Sequence, residues 1–204
     1  MTDLLVATTN RGKVLEIEAL ISKSVPGIKL FTTTDLKIKD TPEETGNTFL
    51  ENSIGKSLFY SRLRKGILTI ADDSGLEVDS LKGSPGVRSA RYGGPESDDE
   101  KNVSRLLTEL EGIENRNARF ISVITLSLNG SVIRSFRGEV KGFIIDEPRG
   151  SNGFGYDPVF FYKPYQMTFA ELPAEKKNLI SHRATALRKL GDFLSENKGL
   201  LQNG

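Results

Sequence analysis

Apolar residues fall along this chain in two periods, that of strands and that of helices. Leu4-Leu5-Val6-Ala7 is an unbroken apolar run, the mark of a strand buried on both faces. Asn10-Arg11-Gly12 interrupts it, and Val14, Ile17, Leu20 and Ile21 then share one helical face. Ile28 to Thr32 reads as a second strand. From Thr48 to Arg64, Leu50, Ile54 and Leu58 recur every four residues, which predicts a long helix with that stripe as its apolar face. Gly66 ends it, and Ile67 to Ala71 forms another short apolar strand, followed at once by Asp72-Asp73-Ser74-Gly75. Val103, Leu106, Leu107 and Leu110 mark a third helix. Residues 120–128 are β-rich up to Asn129-Gly130, a pair that favours the positive φ values of a tight hairpin, and Val132 to Ile145 is the return strand. Pro158 to Tyr162 reads as a last short strand, and Leu187, Leu190, Phe193 and Leu194 as a closing helix. Buried strands alternating with helices, plus one long hairpin, predict an α/β fold around a mixed β-sheet.

At 204 residues, against roughly 150 per domain, the chain is expected to form a single domain, 1–204, or one domain with two lobes. No repeat or Pro-rich linker divides it. The absence of Cys removes disulfides, Cys–Zn sites, iron–sulfur clusters and thiol nucleophiles, and a single His makes zinc chemistry a poor fit. Twenty-eight basic residues against 27 acidic ones leave a formal charge of +1, with no net field for nucleic acid or an anionic membrane. The apolar runs fall far short of the roughly 18 residues of a membrane span, and the N-terminus lacks the basic region of a signal peptide. These features lead us to expect a soluble, cytoplasmic protein.

Several segments carry candidate chemistry. Thr8-Thr9-Asn10-Arg11-Gly12-Lys13 lies between the first strand and the first helix, where backbone N–H groups favour phosphate. Its hydroxyls, amide and ammonium would complete an anion cradle; the same residues also read as an ordinary helix cap. The spacing is not that of a Walker loop. Asp72-Asp73-Ser74-Gly75 follows an apolar strand, where open α/β sheets place their ligands. Adjacent carboxylates repel, so holding both needs a cation, and Mg2+, which prefers hard oxygen ligands, is the natural one. The alternative is an acidic turn. Glu43-Glu44-Thr45-Gly46 adds either a further metal oxygen or compensation of the helix dipole. Lys56, taken alone, reads as a solvated surface residue. In the stretch from Gly150 to Pro158, three glycines allow close backbone approach, Phe154 could stack on a base and Asp157 could accept from ring N–H groups. The only His, His182, stands beside Arg183 as a compact donor pair. Phosphate cradle, oxygen-ligated metal and base-sized aromatic pocket are together what a nucleotide-polyphosphate enzyme requires.

With these segments in view, the chain resembles the inosine triphosphate pyrophosphatase family from about residue 4 to residue 195. The resemblance rests on six segments in order. They are Thr8-Thr9-Asn10 with Lys13; Glu44-Thr45-Gly46 through Phe49-Leu50-Glu51-Asn52; Ala71 to Leu76; Pro85-Gly86-Val87 with Ser89 to Tyr92; Gly153 to Pro158; and Ser181-His182-Arg183. One departure is Ser151-Asn152 where relatives often have Thr-Gly; Asn tolerates positive φ, so the loop is expected to survive. The resemblance implies an elongated two-lobed α/β fold with the active-site cleft between lobes, and a homodimer. It implies Mg2+-dependent hydrolysis of ITP, dITP and XTP to the monophosphate and pyrophosphate, without a covalent intermediate. Thr8, Thr9, Asn10, Arg11, Gly12 and Lys13, with Lys56 and Lys177, would hold the triphosphate. Glu44 and Asp73 would engage Mg2+ with Asp72 nearby, Asp73 would be the base for the attacking water, and Ser74 would help to fix the nucleotide. Phe154, with Gly155 and Tyr156 in the same loop, would stack on the purine, while Asp157, His182 and Arg183 read its edge. A non-catalytic nucleotide or RNA binder is the rival class; the paired acidic residues and the lack of a basic excess argue against it.

Overall fold

The apolar run near the N-terminus becomes β1 (Thr2–Val6), which pairs in parallel with β2 (Ile28–Thr32) on one side and β3 (Leu68–Val78) on the other. Leu4 and Leu5 are both fully buried, so both faces of β1 are covered, as parallel strands require. The computed structural model describes residues 2–25 and 27–201. Its sheet has seven strands in the order β2-β1-β3-β4-β5-β6-β7, completed by β4 (Asn117–Leu128), β5 (Ser131–Ile144), β6 (Phe160–Tyr162) and β7 (Met167–Thr168). β6 runs antiparallel to both neighbours, so the sheet is mixed. The helices are α1 (Arg11–Ser24), α2 (Phe49–Leu63), α3 (Asp99–Glu109), α4 (Ala174–Ile180) and α5 (His182–Glu196). Asn129 and Gly130, with φ of 53° and 79°, make the tight turn between β4 and β5.

The chain packs into two compact units. The first comprises Met1–Asp73, Ser122–Gly138 and Arg183–Gly204, and the second Ser74–Ile121 and Glu139–His182. In the first, Ile17 and Ile21 of α1 and Leu187, Leu190 and Leu194 of α5 close on Val6, Ile70, Ile124 and Leu126 of the strands. These are the helical stripes the periodicity predicts. In the second, Phe120 stacks on Phe169 and packs at a tilt against Phe160, ring centroids 5.9 and 4.5 Å away, and Leu106 of α3 and Leu110 just after it pack into the same core.

Three sequence expectations need correction. β3 does not stop at Ala71; it runs through both aspartates to Val78, so the acidic pair lies within a strand and not in a turn. β7 and α4, two and seven residues long, carry too few positions for a periodic signal and were not expected. The third concerns α2, whose limits match expectation because Thr48 and Glu51 form a capping box. Its apolar stripe is not its buried face: Leu50 is 46% exposed, while Asn52, Ser53, Ser57, Tyr60 and Ser61 face inward. The reason is a ladder of hydroxyls. Ser53 Oγ donates to the Ala71 carbonyl (3.0 Å) and lies 2.7 Å from Thr125 Oγ1; Ser57 Oγ lies 2.5 Å from Ser127 Oγ and donates to the Thr125 carbonyl (3.1 Å). Small hydroxyl side chains bring the helix close to β4 and satisfy each other out of water.

Candidate active site

The first unit gathers cations and carboxylates around the C-terminal end of β1 and the middle of β3. After β1 the chain turns through Thr8 and Thr9 into α1. Asn10 is the N-cap, its side-chain oxygen accepting from the Lys13 backbone N–H at 3.0 Å, while Thr8 Oγ1 accepts from the Asn10 N–H at 3.2 Å. The helix-cap reading of this loop is therefore correct. Lys13 is nevertheless not solvated, because its Nζ lies 3.0 Å from Asp72 Oδ2. Thr9, Asn10 and Arg11 stay exposed and Gly12 is half-buried.

Asp72 and Asp73 are neighbours in a strand, so their side chains leave on opposite faces and find different partners. Asp72 is buried among fixed donors: Lys13, Arg183 NH2 at 3.1 Å and Ser122 Oγ at 2.5 Å. Arg183, itself fully buried, also bonds Glu16 through NH1. Burial alone would push the Asp72 carboxyl up, but Lys13 and Arg183 outweigh it and hold it well below the usual carboxylate range. Burial likewise lowers the Lys13 pKa, with Asp72 opposing and Lys56 and Arg183 adding to the fall.

Asp73 faces α2. Its Oδ1 lies 2.8 Å from Lys56 Nζ, and its Oδ2 accepts from Asn52 Nδ2 at 3.2 Å. Lys56 Nζ also meets Glu44 Oε1 at 2.8 Å, so two carboxylates from separate segments converge on one cation. Burial raises the Asp73 pKa against the pull of Lys56 and Lys13. Burial depresses Lys56, but Asp73 and Glu44 more than reverse this and its pKa is raised. Lys56 is therefore a half-buried cation held between two carboxylates, not the solvated residue its position in a helix suggests.

The second unit holds the aromatic group. Phe154 lies in the loop before β6, with Lys177 Nζ 5.0 Å from its ring centroid. The same ammonium lies 2.5 Å from Asp157 Oδ2, which also accepts from the Phe154 N–H at 3.0 Å. Gly155 N–H donates to Asp99 Oδ2 (2.7 Å) and Tyr156 OH to the Ser89 carbonyl (2.8 Å), fixing the loop at two further points. His182 is buried with its ring stacked on Phe120, centroids 4.9 Å apart and planes 16° off parallel. Asn152 needs no positive φ; its backbone N–H and its amide reach the carbonyls of Ala170 and Leu172.

The family model described as the Ham1 family matches residues 4–193. The chain belongs to the Ham1 family. Two curated members of similar sequence are named dITP/XTP pyrophosphatase. One, from Bacillus licheniformis, is 47% identical over 200 residues, covering 96% of this chain and 100% of the relative. The other, from Bacillus subtilis, is 43% identical over 196 residues, covering 95% and 98%. Among solved structures, the Ham1 protein of Staphylococcus aureus superposes with a TM-score of 0.86 at 38% identity, covering 96% of this chain and 100% of that one. The resemblance to the inosine triphosphate pyrophosphatases, read from six segments, thus extends along nearly the whole chain.

Within this Ham1 chain the expected site residues sort into two groups. Lys13, Glu44, Lys56, Asp72, Asp73 and Arg183 lie together in the first unit; Phe154, Asp157, Lys177 and His182 lie in the second. Within the chain, Lys177 is bound to Asp157 and lies beside Phe154, and Arg183 holds Asp72 and Glu16. Ser74 follows Asp73 in β3 and is half-buried. Sequence reasoning missed Glu16, Asn52, Ser122 and Phe120 as supporting groups. Ser122 shares β4 with the buried hydroxyls of Thr125 and Ser127, so nothing in the sequence singled it out, and Glu16 carried no signal either.

Proposed function

We propose that this chain is a dITP/XTP pyrophosphatase, hydrolysing non-standard purine nucleoside triphosphates to the monophosphate and pyrophosphate. The observation that carries the proposal is the convergence of Glu44 and Asp73 on Lys56 Nζ, each at 2.8 Å, in a chain of the Ham1 family. Two carboxylate oxygens aimed at one cation are a fitting donor set for Mg2+, which takes one or two carboxylates and shares its shell with phosphates. Asp72, already held by Lys13, Arg183 and Ser122, is left out of the ligand set in this reading.

When bound, Mg2+ would neutralise charge on the phosphates as the bond to the leaving pyrophosphate breaks. The chain's own residues do the rest. Asp73, its pKa raised by burial, takes a proton from the water that attacks the α-phosphorus. Lys56 and Lys13 stabilise the negative charge that grows on the phosphate oxygens, and the loop from Thr8 to Gly12, exposed at Thr9, Asn10 and Arg11, offers further donors. The new bond joins water oxygen to the α-phosphorus, the bond to the bridging oxygen breaks, and pyrophosphate leaves with the electron pair. In the second unit Phe154 stacks on the purine, and Lys177 and His182 supply donors for the oxygen at position 6, which adenine replaces with an amino group. A homodimer and a cytoplasmic location belong to the same proposal; among the described residues no helix is long and apolar enough to cross a membrane.

The test is to supply the purified protein with dITP, XTP, ITP and ATP in the presence of Mg2+ and to measure pyrophosphate. Release from the first three at rates well above ATP supports the proposal, and equal rates on ATP refute the specificity it assigns.

A further inference from the structure

Asn52 makes a connection that none of the roles above uses. Its side chain is buried, 5% exposed, and both ends of its amide are engaged. The oxygen Oδ1 accepts from the Gly46 backbone N–H at 2.8 Å, and the nitrogen Nδ2 donates to Asp73 Oδ2 at 3.2 Å. One helical turn on, Lys56 joins the same two segments, from Glu44 Oε1 to Asp73 Oδ1, at 2.8 Å each. Residues 52 and 56 share a face of α2, so one helix grips both the loop of Glu44 and the strand of Asp73 at two heights.

The surrounding bonds make this a fixed device. Asn47 and Thr48 N–H groups donate to Glu51 Oε2 at 2.7 and 3.2 Å, so three successive backbone donors, 46 to 48, are held by side chains of α2. Position 46 admits no side chain, since a Cβ there would come 2.6 Å from Asn52 Oδ1 and 2.7 Å from Glu51 Cβ. The helix is in turn locked to β4 through Ser53 and Ser57. Because Asn52 occupies one oxygen of Asp73 and Lys56 the other, the carboxylate is denied free rotation about its last bond. An amide suits this task and a carboxylate does not, as Asn52 must accept from Gly46 and donate to Asp73 at once.

We propose that Asn52 is a positioning residue for the Glu44–Asp73 pair, fixing the separation of the two segments and the orientation of the Asp73 carboxylate. The inference rests on the pyrophosphatase reading of that pair. Residues that hold metal-binding carboxylates by hydrogen bonds cost about 10–100-fold in metal affinity or activity when removed.

The experiment compares wild type with Asn52→Ala in two measurements, kcat and KM for dITP at saturating Mg2+, and calorimetric titration of Mn2+ into substrate-free protein. The expected result is a fall in kcat of about tenfold or more, a KM changed by less than about threefold because the Asn52 amide is buried and engaged by Gly46 and Asp73, and weaker Mn2+ binding. If Asn52→Ala does not fold, the nearly isosteric Asn52→Leu decides by the same readouts. A kcat within about threefold of wild type overturns the proposal, and so does a lost kcat with wild-type Mn2+ affinity, which would mean Asn52 supports the fold without acting through the carboxylates. Wild-type protein that takes up no Mn2+ overturns it as well. Failure of the functional reading is a separate result, wild-type protein that turns over no dITP.

Discussion

Replacing Arg183 by Ala is the perturbation that most sharply separates recognition from support. The guanidinium and the Asp72 carboxylate are each 1% exposed, and Glu16, the second partner, is 13% exposed. Removing the cation takes from Asp72 a guanidinium donor at 3.1 Å and from Glu16 the ion pair it makes with Arg183 NH1. Breaking a buried pair from one side costs about 3–5 kcal/mol, because an uncompensated charge stays behind. For a chain of this size each kcal/mol moves Tm by about 2–4 °C, so Tm should fall by roughly 6–20 °C. The pH dependence has a definite sign. Asp72 titrates below its unfolded value, so its stabilisation is fully present above about pH 4 and is lost only as pH falls through the depressed folded pKa. The deficit of Arg183→Ala should therefore be the same at pH 7 and pH 5. Thermal unfolding followed by circular dichroism at both pH values measures it, and repeating it in an Asp72→Asn background should shrink the loss, since part of it runs through that carboxylate. A fall below about 2 °C would refute the reasoning and return Arg183 to the substrate.

Other expectations follow from the same geometry. Excess chelator should abolish dITP turnover and added Mg2+ restore it; undiminished hydrolysis in chelator would remove the metal from the account. Asp73→Asn should lower kcat by about 10²–10⁴-fold, the contribution of a positioned base, and a variant keeping more than about a tenth of wild-type kcat would move that role to another residue. Phe154→Ala should raise KM for dITP with little change in kcat, since stacking on a base is worth about 1–3 kcal/mol, and an unchanged KM would place the purine elsewhere. Ser57→Ala leaves the Thr125 carbonyl and Ser127 short of a partner and should cost about 1–3 kcal/mol in urea unfolding; no loss would mean the hydroxyl ladder does not hold α2.

What could be read from the sequence divides along physical lines. β1, β2 and α1 were legible because their side chains pack by hydrophobicity alone, with Leu4, Leu5 and Ile17 buried as the pattern requires. The limits of α2 were legible through Thr48 and Glu51, but its orientation was not, because the inward face is made of serines whose burial depends on partners on β4, some 70 residues away. The aspartate pair shows the same limit. Adjacent carboxylates looked like one acidic site, and only the strand conformation of β3 divides them, sending Asp72 to Lys13 and Arg183 and Asp73 to Lys56 and Asn52. Lys56 was illegible for the complementary reason, since nothing local to a helix shows that two distant carboxylates converge on it. The cap of α1 could be read because Asn10 and the residues it bonds are contiguous in sequence.

The central claim is that water, activated beside Asp73, attacks the α-phosphorus of a non-standard purine triphosphate. The most direct measurement is hydrolysis of dITP in water enriched in heavy oxygen, with the products separated and weighed by mass spectrometry. Attack at the α-phosphorus yields dIMP and pyrophosphate in equal amounts, with the heavy oxygen in dIMP and none in pyrophosphate. Label in pyrophosphate, or orthophosphate released together with dIDP, would place the attack at another phosphorus and contradict it.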